Sequence, residues 1–121
     1  MPDPSTTVSE LRELVAAFVA ERQWQVFHNA KNLSMAIAIE AAELMEHFQW
    51  ARPDELEAIC SQPPTRDEIR DEIADILCFS LALANVMNLD LSDAIRQKMT
   101  KNIAKYPAEA FRGRYFKPKG G

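Results

Sequence analysis

The chain has 121 residues, 47% of them hydrophobic and 26% charged, with a formal net charge of −4. That balance fits one ordinary globular domain and excludes a disordered chain; no apolar run reaches the ~18 uninterrupted residues a membrane-spanning helix needs. The charge is divided, with 6 Lys and Arg against 17 Asp and Glu over residues 1–95 and 8 against 1 over residues 96–121, which suits a small anionic ligand better than a nucleic acid polymer.

The opening MPDPSTTVSE lacks the basic-then-apolar order of a signal peptide, so a cytoplasmic location is expected. Thr7-Val8-Ser9-Glu10 fits a capping box and starts the first helix, whose Val8, Leu11, Leu14, Val15, Phe18 and Val19 recur at three- and four-residue steps. The periodicity fails from Arg22 to Asn29, where Trp24, Phe27 and His28 gather in what reads as an ordered loop or a single turn. A second helix follows over about 33–49, apolar nearly all round and therefore in want of two packing partners.

Pro53 to Ile59 allow one short helix before the break Ser61-Gln62-Pro63-Pro64. Thr65-Arg66-Asp67-Glu68 reads as another capping box, opening a third main helix that runs to about Met87. Asn88-Leu89-Asp90 turns the chain into a fourth, from about Leu91 to Lys105, with Ile95, Met99 and Ile103 expected to face the core, and Pro107 closes it. The tail from Ala108 to Gly121 reads as extended and mobile at its end.

No strand alternation and no repeat of ~20–50 residues is present, so the fold class is all-α, a four-helix-type bundle in a single domain with its core over about 7–107. The only glycines are Gly113, Gly120 and Gly121, which excludes the P-loop and the dinucleotide fingerprint. Cys60 and Cys78 are isolated, without zinc-ligand spacing, and read as a reduced pair without function.

Chemistry concentrates in the second and third main helices. Glu40 and Glu43 are the only charges between Leu33 and Met45, and Asp75 is the only one between Ile73 and Leu89, with Glu72 three residues before it. A spacing of three puts each pair on one helix face. One such pair reads as a solvent-facing feature of an amphipathic helix; two pairs in apolar helices call for a cation, because an unpaired charge in hydrocarbon is costly. The all-oxygen set Glu40, Glu43, Glu72 and Asp75 suits Mg²⁺ or Mn²⁺ and argues against zinc. A di-iron bundle site wants Glu-x-x-His on two helices, and neither His28 nor His47 follows a glutamate by three.

Lys98, Asn102 and Lys105 share one face at i, i+4 and i+7. They read either as a solvated helix end favouring its own dipole or, beside a magnesium site, as donors to a polyphosphate. Trp24, His28 and Trp50 flank the carboxylate helix, where their rings either fill a core or enclose a flat base. Glu46 and His47 read as helix-surface residues, Glu46 with a possible supporting place behind the metal ligands.

Taken together, Trp24…Phe27-His28…Lys31-Asn32-Leu33, Glu40-Ala41-Ala42-Glu43-Leu44…Glu46…Phe48-Gln49-Trp50, Glu72-Ile73-Ala74-Asp75-Ile76 and Lys98…Asn102…Lys105-Tyr106-Pro107 closely resemble the MazG-like all-α nucleoside triphosphate pyrophosphohydrolases. Within them the chain is most similar to the small single-domain branch that includes the dCTP pyrophosphatases. The resemblance implies a tight dimer or a dimer of dimers, with active sites between neighbouring subunits. It also implies Mg²⁺-dependent cleavage between the α- and β-phosphates to give nucleoside monophosphate and pyrophosphate. By analogy Glu40, Glu43, Glu72 and Asp75 hold metal, Lys98, Asn102, Lys105 and Tyr106 hold phosphates, and Trp24, His28 and Trp50 enclose the base. Glu43 is the candidate general base. The expected substrate is dCTP or a related pyrimidine deoxynucleotide, with no membrane or nucleic acid partner. The same reaction on a broad or purine range, and a non-catalytic helical interaction module, are the alternatives.

Overall fold

A computed structural model describes residues 1–114, and all regular structure among them is helical. Its α-helices are α1 (Val8–Glu21), α2 (Ala30–Glu46), α3 (Leu56–Ser61), α4 (Thr65–Met87), α5 (Leu91–Lys105) and α6 (Ala108–Phe111), with short 3-10 turns at Asp3–Ser5, Gln25–Phe27 and Pro53–Glu55. No single helix is long and apolar enough to cross a membrane.

The helix starts show which side chains win the competition for the orphan amides of a first turn. Thr7 caps α1, its hydroxyl oxygen accepting the Glu10 amide proton at 3.1 Å. The Glu10 carboxylate accepts the Thr7 hydroxyl at 3.2 Å. In α2 the cap is Asn29, which accepts from the Asn32 amide at 2.9 Å. This helix therefore begins three residues before its apolar stripe does, since Ala30 and Lys31 are helix formers that the stripe leaves out.

The capping box expected at Thr65 does not form, because Pro64 occupies the cap position and Thr65 is already helical. A proline there lacks only an amide that would have had no partner. Asn88 ends α4 in the left-handed conformation, φ 53° and ψ 46°, its amide donating back to Ala84 and Asn85. Asp90 caps α5 by accepting the Asp93 amide at 2.9 Å.

Two compact units divide the chain after Asn88. In the first, α4 is the central helix, packed most extensively against α2 and also against α1 and α3. Small residues let the helices approach: Ala82 and Ala84 are buried with Val19 and Leu33. Burying the Leu33 side chain contributes roughly 1.5–3 kcal/mol. A reciprocal clamp ties α1 to α4, with Arg12 Nε donating to Asn85 Oδ1 at 2.9 Å and Asn85 Nδ2 donating to the Arg12 carbonyl at 3.2 Å.

The second unit begins at Leu89 and holds α5 and α6. The tail expected to be extended from Ala108 instead makes the helical turn α6, and the Phe111 ring meets Tyr106 edge-on at 5.2 Å; residues 115–121 of that expectation lie outside the described residues. Ile95, Met99 and Ile103 were expected to face a core and are 60%, 49% and 66% exposed. A unit of this size has too little other surface to cover an apolar helix face. Exposed apolar side chains also mark the first unit, among them Ile39, Leu77 and Met45.

Candidate active site

The acidic pairs meet where α2 crosses α4. Glu40, Glu43 and Glu72 each bring a carboxylate oxygen into a group lying within 4.8 Å of one another. Helical spacing explains this convergence, because Glu40 and Glu43 leave α2 on the face turned to α4 and Glu72 leaves α4 toward them. Asp75 falls outside the 4.8 Å group, yet its charge still acts on Glu40.

Glu40 feels the arrangement most. Its Oε2 is buried without a hydrogen-bond partner among the described residues. Its carboxyl is held above its ordinary value of about 4.5, first by burial, then by a hydrogen bond with Glu43, then by the negative charges of Glu43, Asp75 and Glu72. A buried, unpartnered carboxylate oxygen among like charges is unfavourable by itself and is relieved by a positive ion. The donor set is wholly oxygen, as hard divalent cations require.

Glu72 has a second neighbour. Nε2 of His47, just past the end of α2, lies 2.5 Å from Glu72 Oε2, and both side chains are about four-fifths buried, at 19% and 20% exposure. His47 was expected on the surface, and this contact corrects that expectation. The missed signal is spacing, since 40, 43 and 47 are i, i+3 and i+7 on one helix face. Glu46 is exposed, as a surface residue should be.

Beside the carboxylates a cavity of about 480 Å³ opens between α1 and α4, lined by Leu14, Val15, Phe18, Val19, Trp24, His28, Asp75, Cys78, Phe79 and Ala82. It brings Trp24 and His28 onto the same space as Asp75. Phe18 meets Trp24 edge-on at 5.7 Å, and the Arg22 guanidinium lies 3.8 Å over the Phe18 ring. Phe18 and Phe79 were not anticipated here: Phe18 carried the helix periodicity and was spoken for as core. Cys78 also lines the cavity, with its thiol pKa raised by burial and then by the Asp75 charge. It therefore stays a protonated, weakly nucleophilic thiol. A second apolar cavity of about 350 Å³ shares His28, Val15, Val19 and Ala82.

Trp50 follows the end of α2, is 88% exposed and lines neither of these cavities. Lys98, Asn102 and Lys105 lie on α5, with Asn102 half-buried and both lysines exposed. Tyr106 is 47% exposed, and the Lys105 ammonium lies 5.3 Å from its ring.

Comparison with known proteins identifies the family. Residues 35–115 match the MazG-like family. The chain is 38% identical over 110 residues to dCTP pyrophosphatase 1 of Rattus norvegicus, covering 91% of this chain and 65% of that protein. It is 38% identical over 109 residues to dCTP pyrophosphatase 1 of Homo sapiens, covering 90% of this chain and 64% of that protein. The chain thus spans a little under two thirds of the length of these curated relatives. A crystal structure of a pyrophosphatase from Archaeoglobus fulgidus superimposes with a TM-score of 0.77 at 39% identity, covering 82% of this chain and 91% of that one. On these matches, the chain belongs to the MazG-like family.

Proposed function

We propose that this chain is a nucleoside triphosphate pyrophosphohydrolase that requires a divalent cation and acts on dCTP or a related pyrimidine deoxynucleotide. The observation that carries this is the buried, unpartnered Oε2 of Glu40, set among Glu43 and Glu72 within 4.8 Å. Glu40, Glu43 and Glu72 would hold the cation, with Asp75 completing the set, and Mg²⁺ is the hard cation that fits an all-oxygen donor set best. When bound, such an ion supplies positive charge to phosphate oxygens and makes a neighbouring water more acidic.

The rest is the work of the chain's own groups. A water adds to one of the two phosphorus atoms flanking the α–β bridge, the bridging P–O bond breaks, and nucleoside monophosphate and pyrophosphate leave. Glu43 is the proposed base that takes the water's proton, since Glu72 already has one oxygen engaged by His47 and the free oxygen of Glu40 is buried. The aromatic cavity takes the nucleobase, with Trp24 and His28 beside it and Asp75 on its wall. Lys98, Asn102, Lys105 and Tyr106 are assigned to the phosphates and Trp50 to the base on the strength of the family resemblance. The relatives named as dCTP pyrophosphatases support the choice of base.

The exposed apolar faces support a homodimer or a dimer of dimers as the working state. Incubation with a panel of deoxy- and ribonucleoside triphosphates, with Mg²⁺ and with EDTA, tests the activity. Pyrophosphate and monophosphate should appear in equal amounts, fastest from a pyrimidine deoxynucleotide and only with the metal. A broad or purine profile would replace the substrate assignment, and no release from any triphosphate would replace the enzyme with a helical interaction module.

A further inference from the structure

We infer that His47 is a positioning residue for the metal site, holding the Glu72 carboxylate in its ligating orientation before any cation arrives. The inference rests on the metal role proposed above for Glu40, Glu43 and Glu72. Its own support is geometric: the imidazole Nε2 lies 2.5 Å from Glu72 Oε2, and both side chains are about four-fifths buried.

An ionised carboxylate only accepts hydrogen bonds, so Nε2 carries the proton in this contact and donates it. One oxygen of Glu72 is then committed to the ring, and the other is left for a cation shared with Glu40 and Glu43. A free glutamate samples several rotamers, and each would have to be given up on metal binding. The His47 contact settles that choice during folding. His47 itself is placed by helix periodicity, because it lies four residues after Glu43 and seven after Glu40 on the face that meets α4. It stands outside the group of oxygens within 4.8 Å and is therefore assigned as an orienting partner, not a ligand. Orienting partners of this kind typically change metal affinity by about 10- to 100-fold when removed.

The test is Mn²⁺ binding to the full chain without nucleotide, followed by the EPR signal of the free ion. His47→Leu, which keeps the bulk and loses the donor, should weaken Mn²⁺ binding about tenfold or more. His47→Gln, which can still reach Glu72 with an N–H, should recover most of that loss, and the shorter His47→Asn should not. Pulsed EPR of Mn²⁺ on the wild type should show no directly bound nitrogen. Unchanged affinity in His47→Leu, a Gln variant as weak as Asn, or a nitrogen coupling of a bound imidazole would each overturn the positioning role. If His47→Leu does not fold, the Gln and Asn pair and the wild-type nitrogen spectrum still decide. A wild type that binds no Mn²⁺ removes the metal site itself, a different failure from variants that bind as the wild type does.

Discussion

The acidic cluster of α2 and α4 and the basic end of α5 carry opposite charges, and the fold treats them in opposite ways. Glu40 is half-buried with one oxygen unpartnered, Glu72 is locked to His47, and the Glu40 pKa is driven up. Lys98 and Lys105 are exposed on a helix whose Ile95, Met99 and Ile103 are exposed as well. A solvated lysine costs nothing whether or not a phosphate comes, whereas a desolvated carboxylate among its like is unfavourable until something positive arrives. The acidic cluster therefore stands out in its energetics, and the basic helix end only in its spacing.

The largest expected effect breaks the acidic side of that contrast. Glu43→Gln keeps the shape of the side chain and removes both the charge and the proposed base, so turnover should fall by about 10²–10⁴-fold with helicity and oligomer mass unchanged. Pyrophosphate release under saturating Mg²⁺ checks it, and turnover near that of the wild type would take Glu43 out of the chemistry. Trp24→Ala comes next. Loss of a stacking ring is expected to raise KM for the pyrimidine triphosphate by about 10- to 100-fold, as for ~1–3 kcal/mol of base stacking. Measured against a purine triphosphate as well, it shows whether the cavity reads the base.

Lys105→Ala probes the basic side, where the expected effect is smaller. One charged hydrogen bond to phosphate at ~1.5 kcal/mol corresponds to about a tenfold rise in KM, with kcat little changed. A flat KM would make α5 a solvated helix end, and the contrast between the two regions would become one between a site and a surface.

The sequence displays some of this contrast and hides the rest for identifiable reasons. Glu40, Glu43 and Glu72 were legible because a charge in an apolar run stands out, and their convergence needs only two helices and a spacing of three. α5 was legible because the turn Asn88-Leu89-Asp90 and Pro107 bracket it. His47 was not, since a histidine after a glutamate at a helix end looks solvated until the crossing helix is in place. Ile95, Met99 and Ile103 misled in the other direction: period fixes which side chains share a face but not whether anything within the chain covers it. The capping box at Thr65 failed because a proline one residue earlier had already taken the cap.

The smallest effect is the most direct measure of how unfavourable the crowding of the acidic cluster is. Folded Glu40 binds its proton more tightly than unfolded Glu40, because its pKa is raised above about 4.5 by burial, the Glu43 hydrogen bond and the surrounding charges. Below about 4.5 the carboxyl is protonated in both states and its stabilising contribution is fully present. As pH rises through the higher folded value the proton leaves, the folded state binds more protons than the unfolded one across that interval, and stability falls. In EDTA and at fixed protein concentration, the denaturant midpoint of the wild type should therefore decline with pH across this window relative to Glu40→Gln, which has no proton to lose. Since Glu40 is coupled to its acidic neighbours, the inflection belongs to the cluster and not to one residue. Added Mg²⁺ at neutral pH should raise the wild-type midpoint and raise that of Glu40→Gln less, because a ligand stabilises only the state that binds it. Parallel pH curves for the two proteins would mean that Glu40 carries no strain, and the acidic cluster would then be as indifferent to its counter-ion as the lysines of α5.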